Sequence, residues 1–154
     1  MIRFFLCVWL CVFALSVEAV ERSAVAESPD LVSPLMNGQF VPDVVVKTAL
    51  GQNIRLQTIV ESKPTVILFY RGGWCPYCNR QMAGLIEVEQ RILDLGYQIV
   101  AISPDPPDRL AKQSMDDKFD VLRLSDASLH AIRQFGLAYF VPQATAEKYV
   151  DKLG

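Results

Sequence analysis

Pro64-Thr65-Val66-Ile67-Leu68-Phe69-Tyr70-Arg71-Gly72-Gly73-Trp74-Cys75-Pro76-Tyr77-Cys78-Asn79-Arg80-Gln81 decides the fold of this 154-residue chain. Thr65 to Tyr70 is a run of β-branched and aromatic residues that reads as a buried strand, and Arg71-Gly72-Gly73 breaks it with flexible turn chemistry. A helix is expected immediately afterwards. Pro76 suits the first helical turn, where its missing N–H would have been unpaired anyway, and Gln81, Met82, Leu85 and Ile86 continue at helical spacing. Cys75 and Cys78 therefore stand at the mouth of a helix.

That position has chemical consequences. The unpaired N–H groups and the positive end of the helix dipole stabilise a thiolate, lowering the Cys75 pKa from a free value of roughly 8.5. Cys75 is expected to be the attacking sulfur. Cys78, three residues on, shares its helical face at a Cβ separation of about 5 to 6 Å and is placed to resolve the product. Such a pair can cycle between dithiol and disulfide, passing two electrons per turn. Two blander readings stand beside this one. A zinc site needs two further ligands, and beyond the first segment the chain offers no other cysteine and one histidine, His130. A structural staple across two residues closes too short a loop to restrict the unfolded chain much.

Working outward, the helix is expected to run from Pro76 to about Leu95, with Gly96 ending it in a left-handed cap and Met82, Leu85, Ile86, Ile92 and Leu93 forming its apolar face. Tyr97 to Ser103 reads as a second buried strand, so Thr65 to Ser103 forms a parallel βαβ unit with the cysteines at its carboxyl edge, where open α/β sheets present ligands. Downstream, a helix is expected from Asp108 to about Lys118, capped by Asp105 or Asp108. A third strand follows at Val121 to Leu124, then a helix from Leu129 to Phe135 ended by Gly136. Leu137 to Val141 should be extended, and Thr145 to Leu153 weakly helical. Upstream, Val44 to Val46 and Asn53 to Leu56 read as a hairpin, and Leu56 to Val60 as a short helical turn.

The length fits one domain, and a formal net charge of -2 with scattered basic residues builds no field for nucleic acid. Arg3 before the apolar run Phe4 to Val17, and Val17-Glu18-Ala19 with small residues at a cleavage-like spacing, read as a secretory signal peptide over residues 1–19. The protein is then exported, periplasmic or secreted. It meets the membrane only transiently or, as the less favoured reading, through an uncleaved tether. Cys7 and Cys11 leave with the peptide, so Cys75 and Cys78 remain as the only thiols in an oxidising compartment. Residues 20–36 read as a flexible leader and 37–154 as the domain. His130, beside Arg133 on a short helix, reads as a solvated surface residue. Arg71 and Arg80 flank the cysteine turn as secondary candidates for holding a thiolate or a substrate carboxylate.

Phe40-Val41-Pro42-Asp43, the stretch Phe69 to Cys78, Ala101-Ile102-Ser103-Pro104, and Leu124-Ser125-Asp126 leading to Phe135-Gly136-Leu137 resemble the peroxiredoxin-like branch of the AhpC/TSA redoxins. The resemblance covers roughly residues 37–150. It implies a thioredoxin-like α/β fold, a central sheet with flanking helices, here without the C-terminal strand pair and helix that complete such folds. An unpaired strand edge, with poor solubility or pairing to another chain, is the expected consequence. It also implies a thiol peroxidase or thiol-disulfide oxidoreductase with no cofactor or metal. Cys75 attacks peroxide or a protein disulfide, Cys78 resolves, and the Cys75–Cys78 disulfide is reset by a thioredoxin-like protein or a small thiol. Trp74, Pro76, Tyr77, Arg71 and Arg80 are the supporting candidates. Two features point toward disulfide exchange without peroxidase activity. Gly72 stands where typical peroxiredoxins carry a Thr or Ser three residues before the reactive cysteine, and Cys75-Pro76-Tyr77-Cys78 resembles glutaredoxin sites. A non-catalytic, truncated redoxin domain is the alternative from another class.

Overall fold

The computed structural model describes residues 24–113 and 121–153. The expected signal peptide, with Cys7 and Cys11, lies outside the described residues, and the helix expected to run from Asp108 to about Lys118 instead ends at Lys112, where Gln113 turns extended. Five strands form one mixed sheet in the order β2-β1-β5-β4-β3. The strands are β1 (Val45–Thr48), β2 (Asn53–Arg55), β3 (Thr65–Phe69), β4 (Gln98–Ser103) and β5 (Val121–Ser125). β3, β4 and β5 run parallel, in a register that sets Phe69 beside Ile102 and Ile102 beside Leu124. The hairpin β1–β2 joins antiparallel to β5.

The helices are α1 (Leu56–Ser62), α2 (Pro76–Asp94), α3 (Pro107–Lys112), α4 (His130–Gln134) and α5 (Gln143–Leu153). Successive strand side chains point to opposite faces, and the core divides accordingly. On one face Ile67, Phe69, Val100, Ile102 and Leu124 pack with Leu56 and Ile59 of α1 and with Ala131 and Phe135 at α4. Phe69 and Phe135 meet at 4.9 Å between ring centroids, tilted by 58°. On the other face Leu68, Tyr70, Ala101 and Val121 pack with Met82, Leu85 and Ile86 of α2. The helical spacing read from the sequence thus places α2 across the sheet, and β3 delivers the chain to its first turn.

Three expectations change. Residues 20–36 were expected to lack fixed structure, but from Ala26 onward the stretch is tied down. Ala26 N–H donates to Ala138 at 2.9 Å, Phe140 N–H donates back to Ala26 at 2.8 Å, and Ser33 N–H donates to Gly136 at 3.1 Å. Gly136 permits this contact, since a Cβ there would lie 2.0 Å from the Ser33 carbonyl oxygen. Second, neither Asp105 nor Asp108 caps α3, which begins after Pro106 without a side-chain cap. Third, Thr145 to Leu153 belongs to a helix that starts two residues earlier, at Gln143. Among the described residues β3 has a strand on one side only, so the strand that leads into the cysteines forms an edge of the sheet.

Candidate active site at the start of α2

Cys75 is the N-cap of α2 and Pro76 its first residue, so the two thiols sit where the helix leaves backbone N–H groups without intrahelical partners. Both are free thiols here, and both are buried, Cys75 at 1% and Cys78 at 8% exposure. The pair is electrically polarised. Burial alone would raise the Cys75 pKa. The hydrogen bond from the Cys78 thiol, those from the backbone N–H groups of Cys78 and Tyr77, and the Arg71 charge together outweigh burial and hold Cys75 below its ordinary value. Burial pushes the Cys78 thiol up, the proton it donates to Cys75 pushes it further, and the Arg71 N–H and charge only partly oppose this. The arrangement therefore eases ionisation of Cys75 and holds the proton on Cys78.

The supporting candidates separate once placed. Arg71 lies with its guanidinium carbon 4.8 Å from the Trp74 ring centroid and 4.2 Å from that of Tyr149, so its charge is held beside the thiols by aromatic faces. Trp74 is 41% exposed and Tyr77 79% exposed, leaving aromatic surface around a closed sulfur. Arg80 is exposed, pairs with no described acid, and contributes to neither thiol. His130 is exposed at the start of α4 and contributes to the shift of neither thiol. No group of three His, Cys, Asp or Glu side chains able to hold a metal ion occurs among the described residues.

The sequence pointed to the sulfurs and missed what holds the turn beneath them. The Gly73 N–H donates to the buried Asp105 carboxylate at 2.9 Å, and the Gly73 carbonyl accepts from the Asn79 side chain at 3.0 Å. The side-chain amide of Gln113 also donates to Asp105, and its carbonyl accepts from the Tyr70 hydroxyl at 3.2 Å. Burial raises the Tyr70 pKa and the Asp105 charge adds to this, against a hydrogen bond with Ser103, so the hydroxyl stays protonated as a donor. The available signal was the adjacent pair Gly72-Gly73, which marks backbone that other groups approach closely.

Beside the turn opens a cleft of about 610 Å³, walled by Phe69, Trp74, Leu137, Tyr139, Phe140 and Val141, with Arg71 and Arg133 at its lining. Its apolar walls suit an organic group or an extended segment of another polypeptide.

A strand-turn-helix with a polarised Cys-Pro-Tyr-Cys on this sheet order is the frame of a redoxin, and the family model for AhpC/TSA matches residues 37–146. The chain belongs to the AhpC/TSA family. Peroxiredoxin Bcp of Escherichia coli is 25% identical over 105 residues, covering 68% of this chain and 67% of that protein. The crystal structure of peroxidoxin BcpB from Mycobacterium tuberculosis matches with a TM-score of 0.57 at 28% identity, covering 64% of each chain. Peroxiredoxin 5 from Alvinella pompejana matches at 0.62 with 19% identity, covering 67% of this chain and 70% of its own. This AhpC/TSA chain has the thioredoxin-like α/β fold, and it spans about two thirds of the length of these relatives.

Proposed function

We propose that this AhpC/TSA chain is an exported thiol-dependent oxidoreductase in which the Cys75 thiolate attacks and Cys78 resolves. With a peroxide, the sulfur takes the distal oxygen, the O–O bond breaks, an alcohol or water leaves, and Cys75 becomes a sulfenic acid. Cys78 then attacks that sulfur and expels water, forming the Cys75–Cys78 disulfide. With a disulfide substrate, Cys75 displaces one substrate thiolate to form a mixed disulfide, and Cys78 then attacks the Cys75 sulfur and displaces the second substrate thiolate, giving the same oxidised pair. A thioredoxin-like protein or a small thiol returns two electrons and two protons.

The observation that carries the proposal is the placement of two free, buried thiols at the start of α2, Cys75 at the N-cap and Cys78 in the first turn, and the opposite directions of their pKa shifts agree with it. Attack needs the lowered thiol, and resolution needs a second sulfur within hydrogen-bonding reach of it. Peroxidase chemistry draws its support from the peroxiredoxin relatives. Disulfide exchange has its own support at Gly72, whose φ is +134° and where an added Cβ would lie 2.5 Å from the Trp74 indole nitrogen. No hydroxyl-bearing side chain fits there to orient a peroxide.

Trapping tests the assignment. Cys78→Ser is expected to accumulate a sulfenic acid or a mixed disulfide on Cys75; adducts appearing only on Cys78 in Cys75→Ser would reverse the two roles. Peroxide consumption set against reduction of a protein disulfide decides between the substrates. Export is proposed from the apolar run Phe4 to Val17 followed by the cleavage-like Val17-Glu18-Ala19. Sequencing the mature protein is expected to begin at Val20, and a retained Met1 in the soluble cytoplasmic fraction would refute export.

A further inference from the structure

We propose that Asp105 is a positioning residue for the redox turn, its buried carboxylate fixing the Gly73 peptide so that the donors at the start of α2 converge on Cys75. The inference rests on the redox reading above and names a residue that reading does not use. Asp105 is 3% exposed and forms no ion pair with a described residue. Its carboxylate is instead held by N–H donors, the Gly73 backbone at 2.9 Å and the Gln113 amide. Among the described residues this buried carboxylate is satisfied by dipoles alone, a costly placement, and it is directed at the backbone two residues before the attacking cysteine.

The grip is two-sided. Asn79, on the first turn of α2, donates to the carbonyl of Gly73 at 3.0 Å, while Asp105, in the loop after β4, takes its N–H. The Gly73 peptide is thereby tied at once to the helix that carries the thiols and to the sheet beneath it. Gln113 braces the carboxylate and Ser103 the backbone that carries it: Gln113 bridges the carboxylate to the Tyr70 hydroxyl, and the Ser103 hydroxyl accepts the Asp105 N–H at 3.3 Å. The glycine pair is sized to this clamp. A Cβ on Gly72 would lie 2.8 Å from an Asp105 carboxylate oxygen, and one on Gly73 would lie 2.4 Å from the Gln113 side chain.

Positioning and simple electrostatics have opposite signs here, which makes the role testable. Removing a nearby negative charge would favour the Cys75 thiolate, whereas loosening the turn would withdraw its donors and disfavour it. The experiment follows the rate of Cys75 alkylation by iodoacetamide against pH in the full reduced chain, with the modified cysteine located by mass spectrometry. Asp105→Ala is expected to move the inflection to higher pH and slow alkylation at pH 7 about tenfold, the equivalent of one pKa unit. Asp105→Asn, which keeps an acceptor for Gly73, is expected to restore most of the rate. Gln113→Leu, a less buried change that guards against misfolding of the alanine variant, is expected to shift the profile the same way by a smaller amount. An unchanged inflection in both Asp105→Ala and Gln113→Leu, or a shift to lower pH, would overturn the proposal. A wild-type profile already at the ordinary thiol value would sink the redox reading itself, and the positioning role with it; an acidic wild-type profile that both Asp105→Ala and Gln113→Leu leave alone removes only the positioning role.

Discussion

Cys75 gathers hydrogen bonds from the Cys78 thiol and from the N–H groups of Tyr77 and Cys78, and these act where the sulfur is almost wholly shielded from water. In that setting each donor counts for more than it would at the surface. With its pKa below the ordinary thiol value, Cys75 ionises at lower pH than a free cysteine. The inflection of the wild-type Cys75 alkylation profile is therefore expected below that of a free cysteine, about 8.5, and that of Cys78, displaced the other way, above it. Equal inflections for the two sulfurs would contradict the polarised pair. The sequence made Cys75 and Cys78 legible because their chemistry is local, set by a strand, a turn and a helix start within a few residues. It did not make them visible as a closed pair: Cys75, the expected attacking residue, is 1% exposed, so a substrate meets its sulfur only after the groups over it move aside. Asp105 was legible only as a helix cap, because its partner Gly73 is 32 residues away in the chain.

At the scale of the element, the turn between β3 and α2 tolerates only the smallest residue. Gly72→Ala places a Cβ at a φ of +134° and against both Trp74 and Asp105. A loss of about 1–3 kcal/mol in urea unfolding is expected, together with slower Cys75 alkylation, and an unchanged midpoint would mean that the turn is not under this constraint. Across the sheet, Phe135→Ala removes the ring packed on Phe69 and should cost about 3–5 kcal/mol if the cavity does not collapse. Strands and long helices could be read from hydrophobic period, and β3, α2 and β4 appear within a residue or two of their expected limits. The segment from Ala26 to Ser33 could not, because it has no period of its own and is fixed by backbone bonds to residues 136–140.

For the whole molecule, β3 carries the chain into the active turn and also lies at the edge of the sheet among the described residues. An apolar strand with one open side pairs readily with strands of other molecules. Sedimentation velocity is expected to show association that grows with protein concentration, and a concentration-independent monomer would mean that the edge is shielded. The central claim is that Cys75 and Cys78 form an exchange centre rather than a staple, and the reduction potential of the pair tests it most directly. Titration of the full chain against thiol–disulfide buffers, followed by the fraction of the two cysteines that is oxidised, is expected to give a midpoint well above about -300 mV. A midpoint below that value would identify an inert structural bridge and contradict the redox assignment.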